Sequence, residues 1–426
     1  MGLLFSNLMV IISLALVSTA CQPGISRVTE LRMEQPDSVV SGPASPGTET
    51  PGVPDPFMTR ATSIALAMSD RELAGQLIMT GVDGTGRIPE SSRQLIADLL
   101  PGAVLLFGYN IPADPLELSL LDEDLRQLWP PGGLKPFIAV DHEGGSVFRF
   151  KSGLTRLPAA ETMAGGGLEA ARLAGRIAGT ELASLGISMN LAPVFEALDS
   201  HNAAFLGSRA WSRDTGTAAA LAAAFATSCQ AAGVAAVAKH FPGNAALDPH
   251  QGLPVLDIGL DELESRYLQA FAAAVAADTA AVMLSHVMVP VVDPDLPFTL
   301  SAAGIGLLRE KLGFTGIIMS DDLAMAAIAG DRTPSAAALM ALDAGVDMVM
   351  VSGTRQAMQV RDSIVGAIGT GQLDRATLVE SASRILSWKL RLALDRDEPD
   401  EREARRTGLA SLVRDNRVAL ESLLGR

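Results

Sequence analysis

Aromatic residues are scarce. They make up 4% of the 426-residue chain, with three tryptophans and two tyrosines, which argues against a long aromatic-lined platform for polymer chains. There are two cysteines, Cys21 and Cys229, too few for a disulfide framework if one has another task. Basic charge is in deficit: 33 Lys and Arg face 48 Asp and Glu, for a formal net charge of -15. Nucleic acid is therefore not expected as a partner, because phosphate binding wants a basic face. Histidine is rare too, at five residues. Apolar residues are plentiful at 48%, ample for a sizeable core. The length allows two or three domains or one large barrel.

The first twenty residues, Met1 to Ala20, are apolar and carry no charged side chain, and Cys21 follows directly. This pattern resembles a bacterial lipoprotein signal, cleaved before a cysteine that becomes lipidated. Ser18 stands where Leu is usual, and the first residues lack Lys or Arg. An uncleaved anchor is the alternative, though the run is barely long enough to span a bilayer. From Gln22 to about Pro56 the chain is rich in Pro, Ser, Gly and Thr. Such a stretch cannot bury enough to fold and reads as a tether. The expected setting is extracytoplasmic, with a globular domain held off a bacterial membrane by Cys21.

From residue 57 on, short apolar runs alternate with helical patterns. The runs are Leu77–Met79, Ala103–Phe107, Phe137–Val140, Ile187–Leu191, Val234–Ala238, Ala280–Leu284, Gly316–Met319 and Asp347–Val351. Eight such runs separated by helices predict an α/β fold with a parallel sheet, and eight is the number that closes a (β/α)8 TIM-type barrel. A doubly wound open sheet would show a glycine fingerprint after its first strand; Gly81-Val82-Asp83-Gly84-Thr85-Gly86 lacks that spacing. The expected division is 1–20 signal, 21–56 lipidated cysteine and tether, 57–394 a single barrel domain, and 395–426 a charged tail that turns amphipathic and helical.

In a barrel, catalytic groups sit just past the strands. Every histidine (142, 201, 240, 250 and 286) follows one of the third to sixth runs. The stretch Lys239-His240-Phe241-Pro242-Gly243 leads into Asp248-Pro249-His250. A carboxylate two residues from an imidazole supplies a group that titrates near neutrality and a partner that fixes its tautomer. The seventh run ends in Ser320-Asp321-Asp322. Asp321 is the best nucleophile candidate, because strand ends are rigid; Asp322 is expected to cap the next helix. Asp141 can accept hydrogen bonds from sugar hydroxyls, or pair with Arg149. Lys239, Arg209 and Arg149 are donors for hydroxyls, or partners of strand-end carboxylates. Glu143 is a weaker acid candidate, since Gly144-Gly145 predicts a tight turn aiming it at backbone. A zinc amidohydrolase site would want a His-x-His pair after the first strand, and none is there.

These segments, taken in order with Gly75–Met79, Pro101–Gly108, Asn190–Val194, Gly313-Phe314 and Ala344–Asp347, resemble family-three glycoside hydrolases of the β-N-acetylglucosaminidase branch over roughly residues 65 to 390. The resemblance implies a retaining mechanism through a covalent glycosyl-enzyme. Its nucleophile matches Asp321, and its acid/base, a His assisted by an Asp on a mobile loop, matches His250 and Asp248. Its sugar-binding residues match Asp141, Arg149, Arg209, Lys239 and His240. It implies release of terminal β-linked N-acetylglucosamine from an amino-sugar glycan or muropeptide of the peptidoglycan type, no metal or organic cofactor, and a monomer. The family usually reads Lys-His-Phe-Pro-Gly-His-Gly-Asp-Thr, two residues, then Asp-Ser-His; here Asn244-Ala245-Ala246-Leu247 leads straight to Asp248, two residues sooner. Ser146 and Phe148 replace the usual Arg and Gln, and Ser208 replaces an Asp. A β-glucosidase, a glycoside phosphorylase and a non-catalytic glycan-binding lipoprotein are the competing readings.

Overall fold

The structure is a computed structural model that describes residues 55–130, 133–330, 332–395 and 399–425. The signal, Cys21 and nearly all of the tether lie outside the described residues.

The described residues form ten strands: β1 (Ile78–Gly81), β2 (Ala103–Leu106), β3 (Phe137–Val140), β4 (His142–Gly144), β5 (Val147–Phe148), β6 (Met189–Asn190), β7 (Ala235–Phe241), β8 (Ala281–Leu284), β9 (Ile317–Asp322) and β10 (Met348–Val351). Eight of them pair in parallel and close a barrel in the order β1-β10-β9-β8-β7-β6-β3-β2, while β4 and β5 form a separate antiparallel hairpin. All eight apolar runs supply barrel strands. Their side chains are buried on both faces, so they read as continuous hydrophobic stretches rather than alternating ones.

Two strands run on into charged residues beyond their apolar stretches. β7 continues through Lys239, His240 and Phe241, and β9 through Asp321 and Asp322. Asp321 is thus part of a strand, where the sequence predicts the first residue beyond it. Lys239 and His240 extend β7 because Asp141, Glu143 and Glu196 give them carboxylate partners, and Asp322 extends β9 with its carboxylate on the Ser352 amide just past β10. The β4–β5 hairpin was not predicted either. It turns just after Gly144, the last residue of β4, which has φ +95 and where a Cβ would lie 2.4 Å from the Pro158 carbonyl oxygen. Only glycine fits so close an approach in that conformation.

Outside the barrel, helix Pro56–Ala67 starts one residue before the expected domain edge. Proline occupies its first turn, and the Asp55 side chain accepts from the Phe57 amide, two stop–start signals that favour a helix N-terminus. It packs against helix Arg375–Arg391. The last helix, Pro399–Leu424, lies against helix Gly167–Ser184 and buries Leu409, Val413 and Leu420. Among the described residues no helix is long and apolar enough to cross a membrane. Cys229 is buried in helix Thr215–Ala231, and burial pushes its thiol up to about 12, which leaves it unreactive.

Candidate active site

The barrel mouth carries a network of alternating charge. Lys239 Nζ, on β7, lies 2.8 Å from both Asp141 Oδ1 and Glu143 Oε1. Arg209 donates twice to Glu143, from Nε to Oε2 and from Nη2 to Oε1, each at 2.9 Å. Arg149, brought back by the β4–β5 hairpin, donates to Asp141 Oδ2 at 3.1 Å. Glu143 therefore faces inward, where the tight turn had predicted that it would aim at backbone.

These pairings decide protonation. Burial alone would raise Asp141 and Glu143, but Lys239 with Arg149 and Arg209 outweighs it, and both carboxyls sit below the usual range. Burial would likewise lower Lys239, yet Asp141 and Glu143 hold it above its ordinary value. Glu143 is consequently an ionised anchor for two cations and not a proton donor. Lys239 has three donors and spends two on these contacts. Removing any one partner would leave buried charge uncompensated.

A second cluster lies beside it. The buried Glu196 takes the His240 Nδ1 contact at 2.7 Å on Oε1 and accepts the Asn244 amide at 2.7 Å on Oε2. The same carboxylate accepts from the Asn244 side-chain amide at 2.7 Å and from the His240 backbone at 3.2 Å. A carboxylate only accepts, so His240 carries its proton on Nδ1 and turns Nε2 away from Glu196. Asn244 also receives the Ser285 hydroxyl at 3.0 Å. Asn244 thus ties the base of the Asp248–His250 loop to the segments that follow β6 and β8. Gly243 makes the entry possible: a Cβ there would sit 2.5 Å from the Tyr267 ring.

Farther along, His250 Nδ1 lies 2.8 Å from Asp248 Oδ1, and the same oxygen accepts the His250 amide at 2.9 Å. This ring is 69% exposed, free to meet a ligand through Nε2. Partial burial pushes the Asp248 carboxyl up, but the hydrogen bonds from His250 and the fields of His250 and Arg209 hold it below its usual range. The loop tip is docked across the mouth, with the Pro249 carbonyl accepting from the Ala327 amide at 3.0 Å.

At the end of β9, Asp321 Oδ1 accepts only a local hydrogen bond, from the Asp322 amide at 2.8 Å, among those recorded for the described residues. Asp322 is occupied differently. Its Oδ1 accepts from Ala324 at 3.0 Å and from the Ser352 amide at 3.2 Å. It therefore closes a turn and ties β9 to β10, rather than capping a helix; the next helix, Ala326–Ala329, starts four residues later. His286 supports this corner, with Nε2 3.1 Å from the Asp322 carbonyl and Nδ1 2.8 Å from the Thr299 hydroxyl.

Sequence reasoning missed Glu196, the anchoring role of Glu143, and the His286–Thr299 support. Glu196 had one available signal: a carboxylate in the otherwise apolar stretch Leu191–Ala197, just past a buried strand. The remaining histidines do other things. His201 stands 4.0 Å from Glu262. His142 is fully buried against Phe148 and Phe150. Among the described residues no three His, Cys, Asp or Glu side chains are grouped as a metal site needs.

A closed (β/α)8 barrel with paired acid, base and cation side chains at its C-terminal mouth defines a barrel enzyme of the glycosidase class. The profile described as "Glycosyl hydrolase family 3 N terminal domain" matches residues 70–388, and the chain belongs to that family. It is 37% identical over 323 residues to a β-hexosaminidase of Methylococcus capsulatus, covering 73% of this chain and 91% of the relative. A β-hexosaminidase of Neisseria gonorrhoeae is 36% identical over 276 residues, covering 62% and 75%. Among solved structures, a family 3 β-N-acetylglucosaminidase from a Paenibacillus species superposes with a TM-score of 0.74 at 30% identity, over 80% of this chain and 68% of that one. A β-N-acetylhexosaminidase from Beutenbergia cavernae superposes with a TM-score of 0.68 at 28% identity, over 76% and 98%.

Proposed function

We propose that this protein is an exo-acting β-N-acetylhexosaminidase that removes terminal β-linked N-acetylglucosamine with retention, through a covalent glycosyl-enzyme. The observation that carries this reading is the pairing of a lightly engaged strand-end carboxylate, Asp321, with an exposed imidazole held by a carboxylate, His250 and Asp248. The similarity to named hexosaminidases supports the sugar preference. Asp141, Arg149, Arg209, Lys239 and His240 hold the terminal sugar. Their lone pairs and N–H groups not spent on one another face its hydroxyls.

The chemistry follows from the placement. Protonated His250 gives its Nε2 proton to the glycosidic oxygen, while an Asp321 oxygen bonds to the anomeric carbon and the carbon–oxygen bond to the leaving group breaks. The alcohol departs. His250, now neutral, takes a proton from water, whose oxygen displaces Asp321 and frees the sugar. Asp248 keeps the Nδ1 proton in place and stabilises the imidazolium.

Release of 4-nitrophenol from the β-N-acetylglucosaminide, against the β-glucoside, tests the reading. Selective turnover of the acetamido sugar is expected, and Asp321→Asn should lower it by about a thousandfold or more with an unchanged circular dichroism spectrum. Full activity in that variant would overturn the assignment. Peptidoglycan-type fragments as natural substrate, and a lipid anchor on Cys21, belong to the same proposal. They rest on the resemblance and on the apolar Met1–Ala20 run. Loss of membrane-fraction enzyme in Cys21→Ser is the check on the anchor.

A further inference from the structure

The His250 ring is 69% exposed, so side-chain packing does not set where its Nε2 points. Its place comes from the loop backbone, which is pinned at two points. At the tip, the Pro249 carbonyl accepts the Ala327 amide at 3.0 Å. At the base, the anchor is Asn244. Between the two pins, Ala246 and Leu247 are exposed. The stretch is also short. Asp248 comes two residues sooner than in the family pattern, and Asn244 stands where that pattern has His. A short strap has little slack, so a shift at its base is passed on to His250.

Asn244 is buried and engaged through three polar groups. Its backbone and side-chain amides donate to Glu196, each at 2.7 Å, and its side-chain oxygen accepts the Ser285 hydroxyl at 3.0 Å. These partners fix which way the Asn244 side chain faces: NH2 on the carboxylate, oxygen on the hydroxyl. Ser285 is buried as well and is held from two sides. Its amide donates to the Phe241 carbonyl at 2.8 Å, and its carbonyl lies 2.9 Å from the Thr299 hydroxyl. Thr299 Oγ1 lies 2.8 Å from His286 Nδ1, and His286 Nε2 lies 3.1 Å from the Asp322 carbonyl. The path closes on the strand-end carboxylate, because the Asp322 amide donates to Asp321 Oδ1 at 2.8 Å. One chain of polar contacts thus runs from the base of the Asp248–His250 loop to Asp321.

With the roles proposed above for Asp321 and His250, on which this inference rests, the chain has a task. The glycosidic carbon and its leaving oxygen must be met together, so carboxylate and imidazole must keep their spacing. A misplacement of about 1 Å lowers a rate roughly a hundredfold. We propose that Asn244 and Ser285 are positioning residues for the proton-transfer step. Their hydrogen bond registers the shortened loop to the frame that carries Asp321, and so sets the reach of His250 Nε2 to the glycosidic oxygen. Both act through His250 and not on the substrate.

The test is Ser285→Ala, which deletes that one bond and leaves Asn244 its contacts with Glu196. The change removes a single oxygen and keeps the packing. The substrates are the 2,4-dinitrophenyl and phenyl β-N-acetylglucosaminides. Dinitrophenolate departs without a proton, whereas phenolate needs one, so the phenyl glycoside reports where His250 stands. The quantity read is kcat/KM, which covers formation of the glycosyl-enzyme. His250→Ala sets the full effect. Ser285→Ala should lower kcat/KM for the phenyl glycoside roughly tenfold more than for the dinitrophenyl one. That ratio does not depend on the fraction of active protein, so a merely structural role leaves it unmoved. An unchanged ratio in Ser285→Ala would overturn the positioning role and leave the hexosaminidase reading intact. An unchanged ratio in His250→Ala would overturn the assignment of His250 itself, and the positioning role with it.

Discussion

Glu196 is a single carboxylate that serves two parts of the site. It holds the His240 ring by Nδ1 and the start of the Asp248–His250 loop through both amide groups of Asn244. In Glu196→Gln one of the two oxygens becomes an NH2 group, which must face an N–H donor wherever it points. One hydrogen bond becomes a clash of donors in a buried place, a loss of about 1–3 kcal/mol. We expect kcat/KM for the nitrophenyl substrate to fall between roughly tenfold and a hundredfold. KM should rise, because His240 is a proposed sugar contact; a merely structural role would instead lower the active fraction at constant KM. His142 presents the opposite case, a buried imidazole without a hydrogen-bond partner among the described residues. Burial, aided by Arg156, pushes it down to about 3. The unfolded chain then binds a proton that the folded one refuses between pH 6.5 and about 3. Stability from this residue is complete above pH 6.5 and is lost as pH falls through that window, at roughly 1 kcal/mol per pH unit. His142→Leu should flatten the acid limb of a denaturation-versus-pH curve by up to one proton and preserve activity at neutral pH. An unchanged slope would show that His142 titrates normally.

At the scale of elements, the last helix reaches the site through Thr155, whose hydroxyl donates to the Val413 carbonyl at 3.3 Å, and through one carboxylate. Glu181, fully buried in helix Gly167–Ser184, accepts from Asn416 of the last helix at 2.9 Å. It also accepts the Thr155 amide at 2.8 Å and the Thr155 hydroxyl at 2.6 Å. Thr155 lies on the segment that follows Arg149. Asn416→Ala removes one donor from a buried carboxylate and should cost about 2 kcal/mol in urea denaturation. It should also raise KM more than it lowers kcat, because Arg149 is steadied from behind; a KM unchanged within error would confine the tie to stability. Neither this tie nor the Glu196 cluster was legible in the sequence. The barrel was, because each strand is apolar on both faces and is bounded by polar residues, as at Phe137–Val140 before Asp141. Strand-end chemistry was legible for the same reason: Asp321 and Lys239 interrupt hydrophobic runs. What stayed hidden depends on pairing at long range. Glu143 and Arg209 are 66 residues apart, and no local pattern says that one will turn inward to meet the other. The β4–β5 hairpin hid in a stretch whose glycines read as a simple turn, and β7 and β9 ran on because carboxylates across the mouth hold Lys239 and the Ser352 amide holds Asp322, which overrode the low strand propensity of Lys and Asp.

The whole molecule divides its work between the two ends of the barrel. The C-terminal mouth holds the proposed acid/base and sugar contacts, and the N-terminal floor is tied for stability. There Asp347, just before β10, is buried between Arg309 at 2.6 Å and Arg384 at 2.9 Å and also receives the Ile318 amide. Lys389 on the same floor is less well served. It is fully buried, its ammonium donates to the neutral side chain of Gln76 at 2.8 Å and stands 5.6 Å from the Phe137 ring, and burial pushes it down to about 7. Between an unfolded value near 10.5 and about 7 the unfolded chain takes up a proton more readily than the folded one. Stability from this residue is thus present above pH 10.5, declines as pH falls through the window, and is at its lowest below 7. Lys389→Met keeps the length and the packing of the stem and removes the charge. Gln76 loses a donor, but it borders an open cavity, where water can replace the amine. The net gain should be about 2 kcal/mol at pH 6, read as a higher midpoint in urea, and should shrink towards zero by pH 10. The kinetics of hexosaminide turnover should not move, since the substitution lies at the opposite end of the strands from Asp321. A loss of stability at pH 6 would mean that the amine is better satisfied than its single neutral acceptor allows.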